Sequence, residues 1–222
     1  MSEAAKGPAL FFDFDNTITL GDVLDRVIER HSASGAWREW EAEWQAGRMS
    51  TVECLTRQVA NLRISREELD RVMRDVKIDP DFPGIVAWAA AHGADLRILS
   101  DNFNPLIHAI LQHQGLDAVP VFANELVFSG DRLEARFPWR HPDCARCAHC
   151  KAQHLRTAKA RPRIFVGDGL SDVCPSLVAE VVFAKDSLAQ DLSRRGVAFR
   201  PYRALGDVLG FLEARHGGPL AA

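Results

Sequence analysis

The chain has no strong excess of either charge: its 222 residues carry 27 Lys and Arg against 30 Asp and Glu, a formal net charge of −3. That near balance excludes the basic footprint of a nucleic-acid binder or a membrane-surface protein and points to a small partner. No apolar run approaches the roughly 18 residues of a membrane span. The start, MSEAAKGPAL, has no basic region followed by an apolar stretch and a cleavage site, so a cytoplasmic home is the expectation. Cysteine is sparse, and three of the five crowd together as Cys144, Cys147 and Cys150, unlike the spread framework of a disulfide-stapled secreted domain. Internal repeats, low-complexity tracts and long Pro/Gly/Ser linkers are lacking too. What remains, 47% hydrophobic and 26% charged residues, is enough to bury a substantial core and excludes disorder, collagen and coiled coil as overall classes.

Two kinds of segment alternate. Ala9 to Phe14 is apolar but for one carboxylate, as expected of a strand buried on both faces of a parallel sheet. Similar runs recur at Ala94 to Ser100, Arg163 to Gly167 and Ala179 to Ala184, with helical spacing between them. The pattern predicts an α/β fold with a Rossmann-like parallel-sheet core. From Leu20 to Lys77 no strand is expected, only helical patterns, among them Ser65-Arg66-Glu67-Glu68 with the spacing of a capping box. This predicts a folded helical insertion over 20–77 in a core formed by 1–19 and 78–222. Residues 125–137 alternate about a Ser-Gly-Asp turn, which predicts a β-hairpin.

Asp13 and Asp15 stand at the carboxyl end of the first strand, where open α/β sheets place their ligand crevice. Asp168 and Asp172 follow another strand, in Gly167-Asp168-Gly169-Leu170-Ser171-Asp172. Four carboxylates gathered in one crevice repel one another unless a hard divalent cation neutralises them, and Mg²⁺ is the natural candidate. Ser100 at the end of a strand and Lys151 before a helix offer a hydroxyl and an ammonium suited to phosphate oxygens.

In that order these motifs resemble the haloacid dehalogenase superfamily of phosphatases (subfamily IB), over nearly the whole chain. The resemblance implies that Asp13 attacks phosphorus to form an acyl phosphate and that Asp15 serves as acid and then base. It implies Mg²⁺ held by the Asp13 carboxylate, the Asp15 carbonyl and Asp168, with Asp172 close by, and a phosphate bound by Ser100, Lys151, Thr17 and Asn102. The insertion corresponds to a C1-type helical cap that reads the leaving group, where Asp22, Arg48, Met49 and Arg57 are the candidate contacts. Phe122-Ala123-Asn124, the hairpin, and His141 through Lys151 resemble the branch that includes methylthiopentenyl phosphate phosphatases of methionine salvage. The expected partner is therefore a small phosphomonoester, possible substrates including that ester, phosphoserine, phosphocholine, phosphoethanolamine and sugar phosphates. A phosphotransferase, a phosphonate or haloacid hydrolase, and a non-catalytic phosphometabolite sensor are the alternatives of other kinds. Oligomeric state is left open.

Cys144, Cys147 and Cys150, with His141 and His149 nearby, supply enough ligands for a structural Zn²⁺; free thiols or a reversible disulfide fit the spacing equally. Trp37, Trp40 and Trp44, three and four residues apart, share a helical face that either packs a cap core or lines an apolar pocket.

Overall fold

Four consecutive apolar residues, Ala9–Phe12, make strand β1, and all four are fully buried, as a strand covered on both faces must be. The computed structural model describes residues 7–129, 132–144 and 147–215. After β1 come four helices, α1 (Val23–His31), α2 (Trp37–Gln45), α3 (Thr51–Ala60) and α4 (Arg66–Arg74), and then α5 (Phe82–Ala91). The chain continues through β2 (Asp95–Phe103), α6 (Asn104–His113), β3 (Val121–Ser129) and β4 (Arg132–Arg136). It ends in α7 (Lys151–Thr157), β5 (Arg163–Gly167), a 3₁₀ turn Leu170–Asp172, α8 (Val173–Ser176), β6 (Val181–Ala184), α9 (Asp186–Arg194), β7 (Arg200–Pro201) and α10 (Leu205–Ala214).

The strand order is β4-β3-β2-β1-β5-β6-β7. β1 pairs in parallel with β2 and β5, and β5 with β6, whereas β3 and β4 run antiparallel. The register sets Phe12 opposite Val166, so the segments leaving β1 and β5 emerge side by side. That alignment positions the site.

Strand limits differ from the sequence reading in ways the local chemistry explains. β1 stops at Phe12 rather than Phe14, although the Asp13 amide still donates to Val166 O at 2.9 Å. Beyond it the backbone turns, with Asn16 at φ 55° and Phe14 O accepting from the amides of Thr17, Ile18 and Thr19. β2 runs on to Phe103. β6 begins at Val181 because Glu180 is drawn off to Arg163, its carboxylate accepting from both the amide and the guanidinium. The hairpin is present as β3 and β4, its Gly130-Asp131 turn lying outside the described residues. The two-residue strand β7 has too little sequence to announce itself.

Contacts group the chain into two compact units, one of residues 1–20, 77–98 and 151–222, the other of 21–76 and 99–150. β2 passes from one to the other. In the second unit, α3 packs on β4 and α4 on α6, so the helices of the 20–77 segment cluster with the hairpin and α6. The start of α4 is capped as the sequence implies, Ser65 Oγ accepting from the Glu68 amide, and the structure adds two caps of the same kind, Ser50 Oγ accepting from Glu53 and Asp22 Oδ1 from Asp25. The α2 tryptophans are only half-buried, and no residue of that helix is fully buried.

In the first unit Phe12 meets Phe82 edge to face at 5.8 Å. Asp79, 4% exposed, ties three parts of this unit together. Its amide donates to Ile18 O, Oδ1 accepts from Asp81 N, and Oδ2 accepts from Leu205 N at the start of α10. An alanine would leave the Leu205 and Asp81 amides without their acceptor. Asp79→Ala is expected to lower unfolding stability by about 2–3 kcal/mol, measured by urea denaturation.

Candidate active site

Asp13 sits one residue past β1, and Asp168 one past β5. Because those strands are neighbours in parallel register, the two carboxylates are neighbours as well. Asp172 is brought to them by the tight turn that follows β5, where its Oδ2 accepts from the amides of Asp168 and Gly169 at 3.1 and 3.2 Å. Oxygens of Asp13, Asp168 and Asp172 all lie within 4.8 Å of one another, the one such group of possible metal ligands among the described residues.

A turn this close needs Gly167. A Cβ there would fall 2.4 Å from Asp172 Oδ2 and 2.7 Å from its Cγ. The far side of the loop is pinned by the start of α9, whose Leu188 amide and Ser187 hydroxyl both donate to Asp168 O.

Lys151, the first residue of α7, is 2% exposed. Its Nζ lies 2.5 Å from Asp13 Oδ1, 2.7 Å from Asp172 Oδ1 and 3.3 Å from Ser171 Oγ. One ammonium thus faces three carboxylates. Burial, together with Asp172 and Asp168, raises Asp13 well above the ordinary carboxylate range even though Lys151 opposes the shift. Asp168 is pushed up to about 6 by burial and Asp172, against the Thr17 hydrogen bond, Lys151 and Lys185. Such a set lacks positive charge, and a hard dication with oxygen ligands supplies what it lacks.

Thr17 Oγ1 donates to Asp168 Oδ1 at 3.1 Å and lies 3.3 Å from the Tyr202 hydroxyl. Burial raises the Tyr202 phenol above its usual value, and Asp168, Asp13 and Asp172 add to that. Asp15 lies half-buried in the turn after β1. The structure therefore gathers Asp13, Thr17, Lys151, Asp168 and Asp172, and adds Ser171, Lys185 and Tyr202, which sequence reasoning did not single out. Ser171 stood inside a motif already noted. Tyr202 had no local signal.

Ser100 and Asn102 belong to the second unit, both buried. Ser100 Oγ accepts from Asn102 N, Asn102 Oδ1 from Phe103 N, and Ser100 O faces His149 Nδ1 at 3.0 Å. In the same unit Arg48 is held by Glu43 through two 2.8 Å contacts, Arg57 by Glu53 at 2.6 Å, and the Met49 amide by Glu43 O. Asp22 caps α1, and burial raises its carboxyl above the usual range. Gln58, 3% exposed, donates to Glu41 Oε2 at 3.1 Å.

The zinc expectation is not supported. Among the described residues Cys144, Cys147 and Cys150 join no group of possible metal ligands with His141 or His149. The ligand atoms of these side chains are not brought together: His149 Nδ1 lies 3.0 Å from Ser100 O with its ring stacked on Trp139, and His141 Nδ1 accepts from the Asp143 amide.

A model of the haloacid dehalogenase-like hydrolases matches residues 10–174. The 2-hydroxy-3-keto-5-methylthiopentenyl-1-phosphate phosphatase of Geobacillus kaustophilus is 28% identical over 92% of this chain and 94% of its own. That of Brevibacillus brevis is 25% identical over 94% and 96%. Among solved structures, a phospho-aspartyl intermediate analogue of phosphoserine phosphatase superposes with a TM-score of 0.71 at 17% identity, over 93% of this chain and 99% of that one. No helix among the described residues is long and apolar enough to cross a membrane.

Two outcomes follow from the charge imbalance and the crowding. The raised Asp168 contributes stability to the metal-free protein that is present below its unfolded value of 3.8 and lost as pH rises through about 6. Asp168→Asn should therefore raise the melting temperature of the EDTA-treated protein at pH 7.5, with the gain shrinking towards pH 4.5, as calorimetry would show. Gly167→Ala must displace the Asp172 carboxylate, and a loss of at least about tenfold in divalent-metal affinity by titration calorimetry is expected.

Proposed function

The chain belongs to the haloacid dehalogenase-like hydrolase family, and from that premise we propose that it hydrolyses a small phosphomonoester through a phosphoaspartate formed on Asp13, with Mg²⁺ as cofactor. The observation that carries this reading is Lys151 Nζ set between Asp13 and Asp172 with Asp168 in the same group.

Both oxygens of Asp172 are already engaged, one by Lys151 and the other by two amides. Direct ligation therefore falls to Asp13 and Asp168, with the Asp15 carbonyl as the resemblance implies, while Asp172 holds the loop and the lysine. The cation supplies countercharge where an anionic ester must approach anionic side chains. One Asp13 oxygen attacks phosphorus in line, the P–O bond to the leaving group breaks, and Asp15 gives that oxygen its proton. Water then attacks phosphorus, Asp15 takes the water proton back, and the Asp13 carboxylate is released. Lys151 keeps Asp13 aimed, and the N–H that meets Ser171 Oγ at 3.3 Å is the one it would turn to a phosphoryl oxygen. Ser100 and Asn102 are the proposed further phosphate ligands.

The substrate favoured is 2-hydroxy-3-keto-5-methylthiopentenyl-1-phosphate, the ester in the names of both relatives above. Phosphoserine requires a group for its carboxylate. In α3 the one arginine, Arg57, is paired with Glu53, and the neighbouring Gln58 is neutral, buried and bonded to Glu41.

The test is phosphate release from that ester, phosphoserine, phosphocholine, phosphoethanolamine and sugar phosphates, with Mg²⁺ or EDTA. The methylthiopentenyl ester is expected to turn over with the highest kcat/KM, only with Mg²⁺, and Asp13→Asn to lose at least about a thousandfold in kcat. Folded, metal-supplemented protein that releases no phosphate from any ester, p-nitrophenyl phosphate included, would refute the assignment.

A further inference from the structure

Tyr202 is the single tyrosine of the chain and belongs to none of the motifs that mark the site. It follows β7 at one edge of the sheet, is 4% exposed, and brings its hydroxyl to Thr17 across 185 positions of sequence. Thr17 Oγ1 is also 3.1 Å from Asp168 Oδ1. A threonine hydroxyl has one proton and two lone pairs, and an ionised carboxylate can only accept. The Thr17 proton is therefore committed to Asp168, and Thr17 meets Tyr202 with a lone pair. Tyr202 must be the donor in that contact, so the chain of hydrogen bonds runs from Tyr202 to Thr17 to Asp168. The Lys185 ammonium stands 5.2 Å from the centre of the phenol ring, and the ring is held in place by this cation as well as by burial.

We propose that Tyr202 is a positioning residue for the cation site: by donating to Thr17 it fixes that hydroxyl with its proton on Asp168, and so presets the Asp168 carboxylate for a divalent metal. The inference rests on the cation-dependent reading above. Without the phenol hydroxyl the Thr17 rotor has no partner on its lone-pair side, and the hydrogen bond to Asp168 loses both its fixed direction and the polarisation that a chain of such bonds provides. The cost falls on ground-state organisation of the metal ligand, since Tyr202 does not touch the reacting atoms.

Tyr202→Phe keeps the ring and removes only the hydroxyl. Mn²⁺ binding, followed by the electron paramagnetic resonance of the free ion, is expected to weaken about three- to tenfold in this variant. With metal saturating, kcat should stay within about twofold of the parent, a split that general loosening of the fold would not give. In a Thr17→Val background the second substitution is expected to change Mn²⁺ affinity no further, because the relay is already cut. Unchanged Mn²⁺ affinity in Tyr202→Phe, or an equal loss in the Thr17→Val background, overturns the proposal. Parent protein that takes up no Mn²⁺ refutes the cation reading itself, a result distinct from parent and variant binding alike. A measurement without mutation is available too. Uniform incorporation of 3-fluorotyrosine labels Tyr202 alone, and its ¹⁹F resonance should shift on Mg²⁺ addition; a resonance unmoved at saturating Mg²⁺ counts against the relay.

Discussion

Mutual repulsion among Asp13, Asp168 and Asp172, relieved in part by the buried ammonium of Lys151, is the constraint around which the first unit is arranged. Three carboxylates do not stay within 4.8 Å of one another unless the backbone leaves them little choice. Parallel pairing of β1 with β5 supplies that compulsion for Asp13 and Asp168. The glycine before Asp168 supplies it for Asp172, since any side chain at 167 would occupy the space of the carboxylate. Lys151 at the head of α7 then adds its charge from a third direction. The site is thus a strained electrostatic arrangement imposed by a well-packed scaffold, as expected where function and stability pull apart.

Much of this was legible in the sequence, and the reason is locality. Asp13 and Asp15 announce themselves because they interrupt an apolar run at its end, and Gly167 through Asp172 because the whole turn is contiguous. The helix start at Ser65 is readable for the same reason: the cap and the amide it serves are three residues apart. What could not be read depends on distance along the chain. Nothing near Tyr202 says that it will face Thr17, and nothing near Asp79 says that it will hold the first amide of α10.

The cysteine segment shows the opposite failure, a local signal that was too generous. Ligand type and spacing were right for a tetrahedral metal, but side-chain direction is set by what lies on either side. Among the described residues the sulfurs and imidazoles of this segment do not converge on one point, a placement that no count of cysteines and histidines contains. The tryptophans of α2 were ambiguous in the same way, because three aromatic residues on one face fit a buried core and a half-open surface alike. In the second unit, too, pairing rather than residue type decides what a side chain can offer. Arg57 has the right chemistry for a carboxylate, yet Glu53 already holds it.

The carboxylate cluster has a bearing on how long the protein lasts as well as on how it works. A dication bound by this arrangement would recognise only the folded chain, because Asp13 and Asp168 are brought together by the pairing of β1 with β5 and part once the strands separate. Free metal at about a hundred times its dissociation constant adds about 2.7 kcal/mol to the folded state by mass action, a large fraction of what holds a typical domain together. Metal starvation would then do more than idle the enzyme. It would raise the unfolded fraction on which proteases act, so that the amount of this protein in a cell would follow its ion supply.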